Sequence, residues 1–361
     1  MRIAVDANCL AWGWGGIPKH VDRIVRELAA MDGVRIALLA NTREPFARIA
    51  GTSEVRLRRR GGALWRNTFV LPWLLRNRPD VFWAPETALP AAAPVPTVVT
   101  IHDLAPMILP SIKPPAHHRA FRRMLRRSAR SATRVIAVSK TTAADAERLW
   151  GISRDVVRVV PNGVDEQFVP VPRDEARAVV HERHGVTRPY VLAVGALEPR
   201  KGLDVLIAAA GRADWQLVLA GAPGFGGEEI VAAARAAGAA CLGHVRDEEL
   251  VSLYSGAIAL AAPSLYEGFG MTPLEAMRCG TPTVVSNAAG LVEISGDAAI
   301  VVRERSAEAW LAGIDEANRR RDELRERGFA VAARYRWRDV AAETLDVLRE
   351  AAAQRRHATT T

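Results

Sequence analysis

The stretch Tyr266-Glu267-Gly268-Phe269-Gly270-Met271-Thr272-Pro273-Leu274-Glu275-Ala276-Met277 decides how this chain is read. Before it, Ala257-Ile258-Ala259-Leu260-Ala261-Ala262-Pro263-Ser264 is a short apolar run stopped by Pro and Ser, as a buried parallel strand would be. Thr272 suits an N-cap and Pro273 the first helical position, so a helix is expected to begin there. A turn that leaves the carboxyl end of a parallel strand and enters a helix presents unpaired N–H groups and a partial positive charge, which fit a phosphate. Gly268, Phe269, Gly270, Met271, Thr272 and Leu274 form that turn and helix start. Glu267 and Glu275 flank it, placed to accept hydrogen bonds from sugar or ribose hydroxyls. Thr272-x-x-Glu275 is also the spacing of a capping box, in which Glu275 would serve only its own helix.

Outward from this stretch, strand-like and helix-like segments alternate. Arg2–Asp6, Val34–Leu39, Val81–Ala84, Thr97–Ile101, Arg134–Val138 and Val156–Val160 read as strands. Helical patterns separate them, including Val21, Ile24, Val25 and Leu28 after Pro18, and segments near 64–77, 116–131 and 140–150. Pro161-Asn162-Gly163 and Pro170-x-Pro172 interrupt the pattern, Asn162 and Gly163 reading as hinge geometry. A second series follows: Tyr190–Val194, Trp215–Ala220, Cys241–Leu242, Ala257–Ala261, Thr283–Val285 and Ala299–Val302. The alternation predicts an α/β chain of two doubly wound parallel sheets, and 361 residues suit two such domains. The boundary is placed at 165/166, the second domain ending near 336, with residues 351–361 frayed.

Three further clusters end strands. Gly195-Ala196-Leu197-Glu198-Pro199-Arg200-Lys201-Gly202 offers Arg200 and Lys201 to a diphosphate, whose growing negative charge fixed cations stabilise; the alternative is a solvated turn. Gly13-Trp14-Gly15-Gly16-Ile17-Pro18 allows close backbone approach through Gly15 and Gly16, but its spacing is wrong for a dinucleotide fingerprint, which disfavours a dehydrogenase. His102 and Asp103 close the strand Thr97–Ile101, as ligand contacts or as a structural hydrogen-bonded pair.

Composition narrows the classes. Cys9, Cys241 and Cys279 lack metal-ligand spacing and read as free thiols of a reducing compartment, the cytoplasm by default. No apolar run reaches the length of a membrane span, and no signal-peptide pattern opens the chain. The net charge of +9 is concentrated in the first half, where Arg119, Arg122, Arg123, Arg126, Arg127 and Arg130 share one helical face. No nucleic-acid-binding signature accompanies them, so an anionic membrane surface or a plain solvated face is the better reading. Asp-x-Asp is absent, so no carboxylate pair is expected to carry a metal.

Glu267 to Glu275, with the following Gly280-Thr281-Pro282-Thr283-Val284-Val285-Ser286-Asn287, resembles the retaining glycosyltransferases of family 4, and the likeness extends over most of the chain. The resemblance implies the GT-B fold, two Rossmann-like domains facing a cleft, with a last helix returning to the first domain; Trp337, Ala341, Leu345 and Leu348 mark it, over about 337–355. It implies that the second domain holds a nucleoside-diphosphate sugar as co-substrate: Arg200 and Lys201 on the diphosphate, Glu275 on the ribose, Glu267 on the sugar, main chain near Val245 with His244 at the base. It places His102, with Asp103, beside the sugar. Many family members have an arginine where this chain has Ala196, so that role passes to Arg200. The branch it resembles includes mannosyl- and rhamnosyltransferases of surface polysaccharides, making GDP-mannose the first donor expected, a glycan or lipid-linked molecule the acceptor, and a metal unnecessary. The runner-up classes are a nucleotide-sugar 2-epimerase on the same fold and a non-catalytic carbohydrate-binding protein.

Overall fold

The computed structural model describes residues 1–13, 15–42, 48–56, 62–109 and 115–358. It divides into two units, one of Met1–Met107, Ala116–Gly163 and Arg336–Thr361, the other of Ile108–Pro115 and Val164–Tyr335.

The first unit carries β1 (Arg2–Asp6), β2 (Arg35–Ala40), β3 (Thr52–Arg56), β4 (Val81–Ala84), β5 (Thr97–Ile101), β6 (Arg134–Ala137) and β7 (Val157–Val159). They form one sheet in the order β3-β2-β1-β4-β5-β6-β7, every pair parallel. The central strands are buried along their length, which is why they read as continuous apolar runs. β3 was not expected from the sequence. Among its five residues only Val55 is apolar, because an edge strand has little to bury.

The helix Gly16–Ala29 buries Val21, Ile24, Val25 and Leu28 completely, each contributing roughly 1.5–3 kcal/mol. It starts two residues before Pro18, with Gly15 at φ 117° as its N-cap, and Pro18 occupies the first turn, where a missing N–H costs nothing. Against it packs the helix Trp337–Ala358, which also lies over β4, β5 and β6. Glu350 on that helix pairs with Arg134 at 3.1 Å and Arg158 at 2.9 Å. The end expected to fray from 351 is helical further on: the apolar repeat Leu345, Leu348, Ala351 continues inward, Ala351 is fully buried, the helix runs to Ala358, and 359–361 lie outside the described residues.

The second unit carries β8 (Tyr190–Val194), β9 (Gln216–Ala220), β10 (Ala240–Gly243), β11 (Leu260–Ala262), β12 (Thr283–Ser286) and β13 (Ala299–Val302), in the order β10-β9-β8-β11-β12-β13, again all parallel. On one face Leu206, Leu217, Leu219, Trp310 and Ile314 form the core.

Candidate functional site

In the second sheet the winding reverses between β8 and β11, so the loops leaving their carboxyl ends part to opposite sides, where open α/β sheets bind ligands. After β8 comes Gly195–Gly202, including the turn Pro199–Lys201; after β11 comes the loop 263–270. Backbone meets backbone between them. The Leu265 N–H donates to the Arg200 carbonyl at 2.8 Å. A Cβ on Gly202 would lie 2.3 Å from the Pro263 oxygen, and one on Gly290 would lie 2.2 Å from the Glu267 oxygen, so both positions demand glycine.

This clamp fixes a compact charge cluster. Lys201 Nζ donates to Glu267 Oε1 at 2.6 Å, Arg200 Nη1 to Oε2 at 3.2 Å, and the Ser264 hydroxyl to Oε1 at 2.8 Å. Arg200 also donates through Nε to Glu198 at 2.8 Å. Burial alone would raise the Glu267 carboxyl, but Lys201 and Arg200 outweigh it and hold the group at about 2. Arg200 and Lys201 thus share one carboxylate as their common partner.

The helix Met271–Arg278 begins beside this cluster with Gly270, at φ 125°, as its N-cap. Thr272 is therefore not the N-cap expected from the sequence. Gly270 reaches a backbone conformation closed to threonine, so the helix starts earlier, Pro273 is its third residue, and the N-cap itself offers no side-chain bond to the first turn. Glu275 is the fifth residue of this helix. It is buried and accepts from the Tyr254 hydroxyl at 2.8 Å, which burial and Glu275 together keep firmly protonated. Of the other expected contacts, Gly268 and Phe269 are buried, Phe269 meeting Tyr335 edge-on at 5.7 Å; Met271 and Thr272 are half-buried. The Leu274 side chain is wholly in the core, which leaves only its backbone to a ligand. His244 is exposed and Val245 buried after β10. Ser264, Glu198 and Tyr254 were missed by sequence reasoning. The first two sit three residues from Glu267 and two from Arg200; Tyr254 has no local signal.

Glu275→Gln separates two roles. The amide oxygen still accepts from Tyr254, so melting temperature should move by no more than about 1 kcal/mol equivalent, while nucleoside diphosphate affinity measured calorimetrically should fall. A lowered melting temperature with unchanged affinity would make Glu275 an internal anchor only.

In the first sheet the reversal lies between β1 and β4. Asp6, ending β1, is fully buried and accepts from Arg66 Nε at 2.8 Å. Glu86, just past β4, is raised to about 7 by burial and by Asp6, against the opposing pull of Arg66. This triad was passed over in the sequence. Gly15 and Gly16 are exposed, and Trp14 lies outside the described residues. His102 follows β5 and donates through Nε2 to the Pro85 carbonyl at 3.0 Å. The Asp103 carboxylate accepts from the Ala105 N–H at 3.0 Å, a local turn bond. Asn162 is buried, its amide oxygen 2.7 Å from Nδ1 of His20, which in turn stacks edge-on against His102.

Burial lowers both histidines, His102 to about 4 and His20 well below its ordinary 6.5. In the unfolded chain both titrate near 6.5, so between about pH 6.5 and 4 unfolding takes up protons and stability falls as pH falls. The slope should reach about 1.4 kcal/mol per pH unit for each histidine, and His20→Phe should flatten it in acid-dependent denaturant melts.

Residues 14–168 match the family described as Glycosyltransferase Family 4 and residues 175–331 that described as Glycosyl transferases group 1. An O-antigen chain mannosyltransferase B of Escherichia coli is 29% identical over 76% of this chain and 75% of its own length. A D-inositol 3-phosphate glycosyltransferase of Xylanimonas cellulosilytica is 34% identical over 61% of this chain, which spans 58% of that relative. Among solved structures, sucrose-phosphate synthase from Thermosynechococcus elongatus matches with TM-score 0.81 at 21% identity, covering 98% of this chain and 100% of its own. Anabaena HepE in complex with UDP-glucose matches at 0.74 and 20% identity, covering 96% and 99%. At such identities the likeness is one of fold.

Proposed function

From the premise that the chain belongs to the family 4 glycosyltransferases, of GT-B fold, we propose that it moves a sugar from a nucleoside diphosphate to a hydroxyl acceptor with retention at the anomeric carbon. The observation that carries this reading is the Arg200–Glu267–Lys201 cluster at the switch point of the second sheet, beside a helix start whose N-cap is Gly270. In it Arg200 and Lys201 hold the diphosphate, Glu275 the ribose and Glu267 the sugar hydroxyls, with main chain at Val245 and His244 at the base. His102 is assigned to the sugar, and Asp103, Gly15 and Gly16 to its surroundings. The bond between the anomeric carbon and the leaving phosphate breaks as the acceptor oxygen bonds on the same face, and the acceptor proton passes to the leaving phosphate. Because two fixed cations meet the phosphate charge, the reaction is expected to tolerate chelators.

Mannose from GDP-mannose is the proposed donor sugar, supported by the mannosyltransferase relative, and surface polysaccharide or glycolipid the proposed product. The test incubates the protein with GDP-, UDP-, dTDP- and ADP-sugars, with and without acceptor glycans. Transfer requires both partners. A sugar nucleotide altered without acceptor would make the protein an epimerase, and binding with no turnover would make it a carbohydrate-binding protein.

Peripheral attachment to the inner membrane face is proposed with it. No helix among the described residues is long and apolar enough to cross a membrane. On the helix Pro115–Ser131, Arg119, Arg123, Arg126, Arg127 and Arg130 are exposed beside Phe121, whereas Arg122 is half-buried against Met107. Each arginine near an anionic leaflet contributes about 1 kcal/mol. Co-sedimentation with anionic vesicles is expected at low salt and lost at high salt, or on replacing Arg123, Arg126, Arg127 and Arg130 by Gln. Indifference of the parent to vesicles at low salt would point to a soluble acceptor.

A further inference from the structure

His20 lies in the helix Gly16–Ala29, 1% exposed, and is not used by the reading above. Its ring meets Trp83 at 6.0 Å, Trp337 at 6.1 Å and His102 at 4.7 Å, the last perpendicular at 90°. Nδ1 is 2.7 Å from the amide oxygen of Asn162. An amide oxygen only accepts, so Nδ1 carries the proton and Nε2 a lone pair. That lone pair is buried without a hydrogen-bond partner among the described residues. A phenylalanine would fill the same aromatic box but could not donate to the Asn162 amide oxygen, so packing alone does not account for an imidazole here.

What the imidazole adds is a fixed orientation. Asn162 sets the rotation and tautomer of His20, and the edge of His20 sets the plane of the neighbouring ring. His102 meanwhile commits its Nε2–H to the Pro85 carbonyl, which leaves Nδ1 as the acceptor able to meet a hydroxyl. We propose that His20 and Asn162 are positioning residues that hold His102 in the Nε2–H tautomer with Nδ1 presented to a substrate hydroxyl. This rests on the reading that His102 contacts the transferred sugar.

The arrangement works only while both rings are neutral, since an imidazolium has no lone pair to offer. Among the described residues the titratable group acting on His20 is His102, and Asn162, Trp83 and Trp337 are neutral; His102 in turn faces His20 and the Pro85 carbonyl. Burial keeps both uncharged through the neutral range.

The first experiment reads the parent protein directly. Long-range ¹H–¹⁵N spectra of the labelled protein at pH 7 should show His20 protonated at Nδ1 and His102 at Nε2; either ring in the other tautomer overturns the proposal. The second uses Asn162→Asp, close to isosteric, whose carboxylate favours a charged His20. Transfer should then acquire an acid limb near neutral pH that the parent lacks, and a parental pH profile in a folded Asn162→Asp variant overturns the proposal. His20→Phe should lower kcat about 10- to 100-fold, as loss of an orienting partner does, with donor KM little changed. His102→Gln isolates the underlying reading: parental turnover there removes His102 from the sugar whatever the spectra show, whereas loss of turnover there with an unaltered Asn162→Asp profile rejects only the positioning role.

Discussion

Lys201→Ala is expected to lower the turnover of sugar transfer by roughly 10²–10³, the effect of deleting one fixed charge that meets developing negative charge in the transition state. The fold should survive. Lys201 is 18% exposed and pairs with Glu267, and that carboxylate keeps Arg200 and Ser264 as partners. The variant should melt close to the parent and still bind nucleoside diphosphate weakly, through Arg200. Turnover at the parental level in a folded Lys201→Ala protein would falsify the assignment of the leaving phosphate to this loop.

Glu267→Gln is expected to act in two directions at once. Removing the carboxylate leaves Arg200 and Lys201 adjacent without their common counter-charge, which for a fully buried pair costs about 3–5 kcal/mol. With these side chains 15–18% exposed, water screens part of that, and a loss of about 2 kcal/mol is expected. Nucleoside diphosphate supplies the missing negative charge, so its addition should restore more stability to the variant than to the parent. Turnover should fall even so, since the amide is a poorer acceptor for a sugar hydroxyl. Scanning calorimetry with and without GDP decides the matter: a variant that loses stability and is not preferentially rescued would show that the two cations do not receive the diphosphate.

The strand and helix order was legible because central parallel strands are buried on both faces, and Val81–Ala84 or Tyr190–Val194 therefore announce themselves as unbroken apolar runs. β3, with one apolar residue, carries no such mark. Thr272 misled because cap preference is local, whereas the helix start was decided by the conformation open to Gly270. Glu275 stayed divided between cap and ligand for a different reason: its partner Tyr254 lies 21 residues upstream on another helix. The pairing of His20 with Asn162 spans 142 residues and exists only after the sheet has formed, so neither residue could be read for it in advance. Arg200 and Lys201 were visible as cations in a turn, but their shared carboxylate comes from a loop 66 residues on, brought close by the backbone approach at Gly202.

The helix Trp337–Ala358 completes the unit that the chain began building at Arg2, after an excursion of a whole unit in between. Synthesis from the ribosome therefore delivers the parts out of order. The sheet β1–β7 emerges before the helix that covers β4, β5 and β6, and its apolar face must wait until Trp337–Ala358 appears. The inserted unit, Val164–Tyr335, has its own sheet and core and is complete earlier. The first-made half is thus the last to be finished, and the nascent chain holds an uncovered apolar face for as long as the ribosome takes to translate the second.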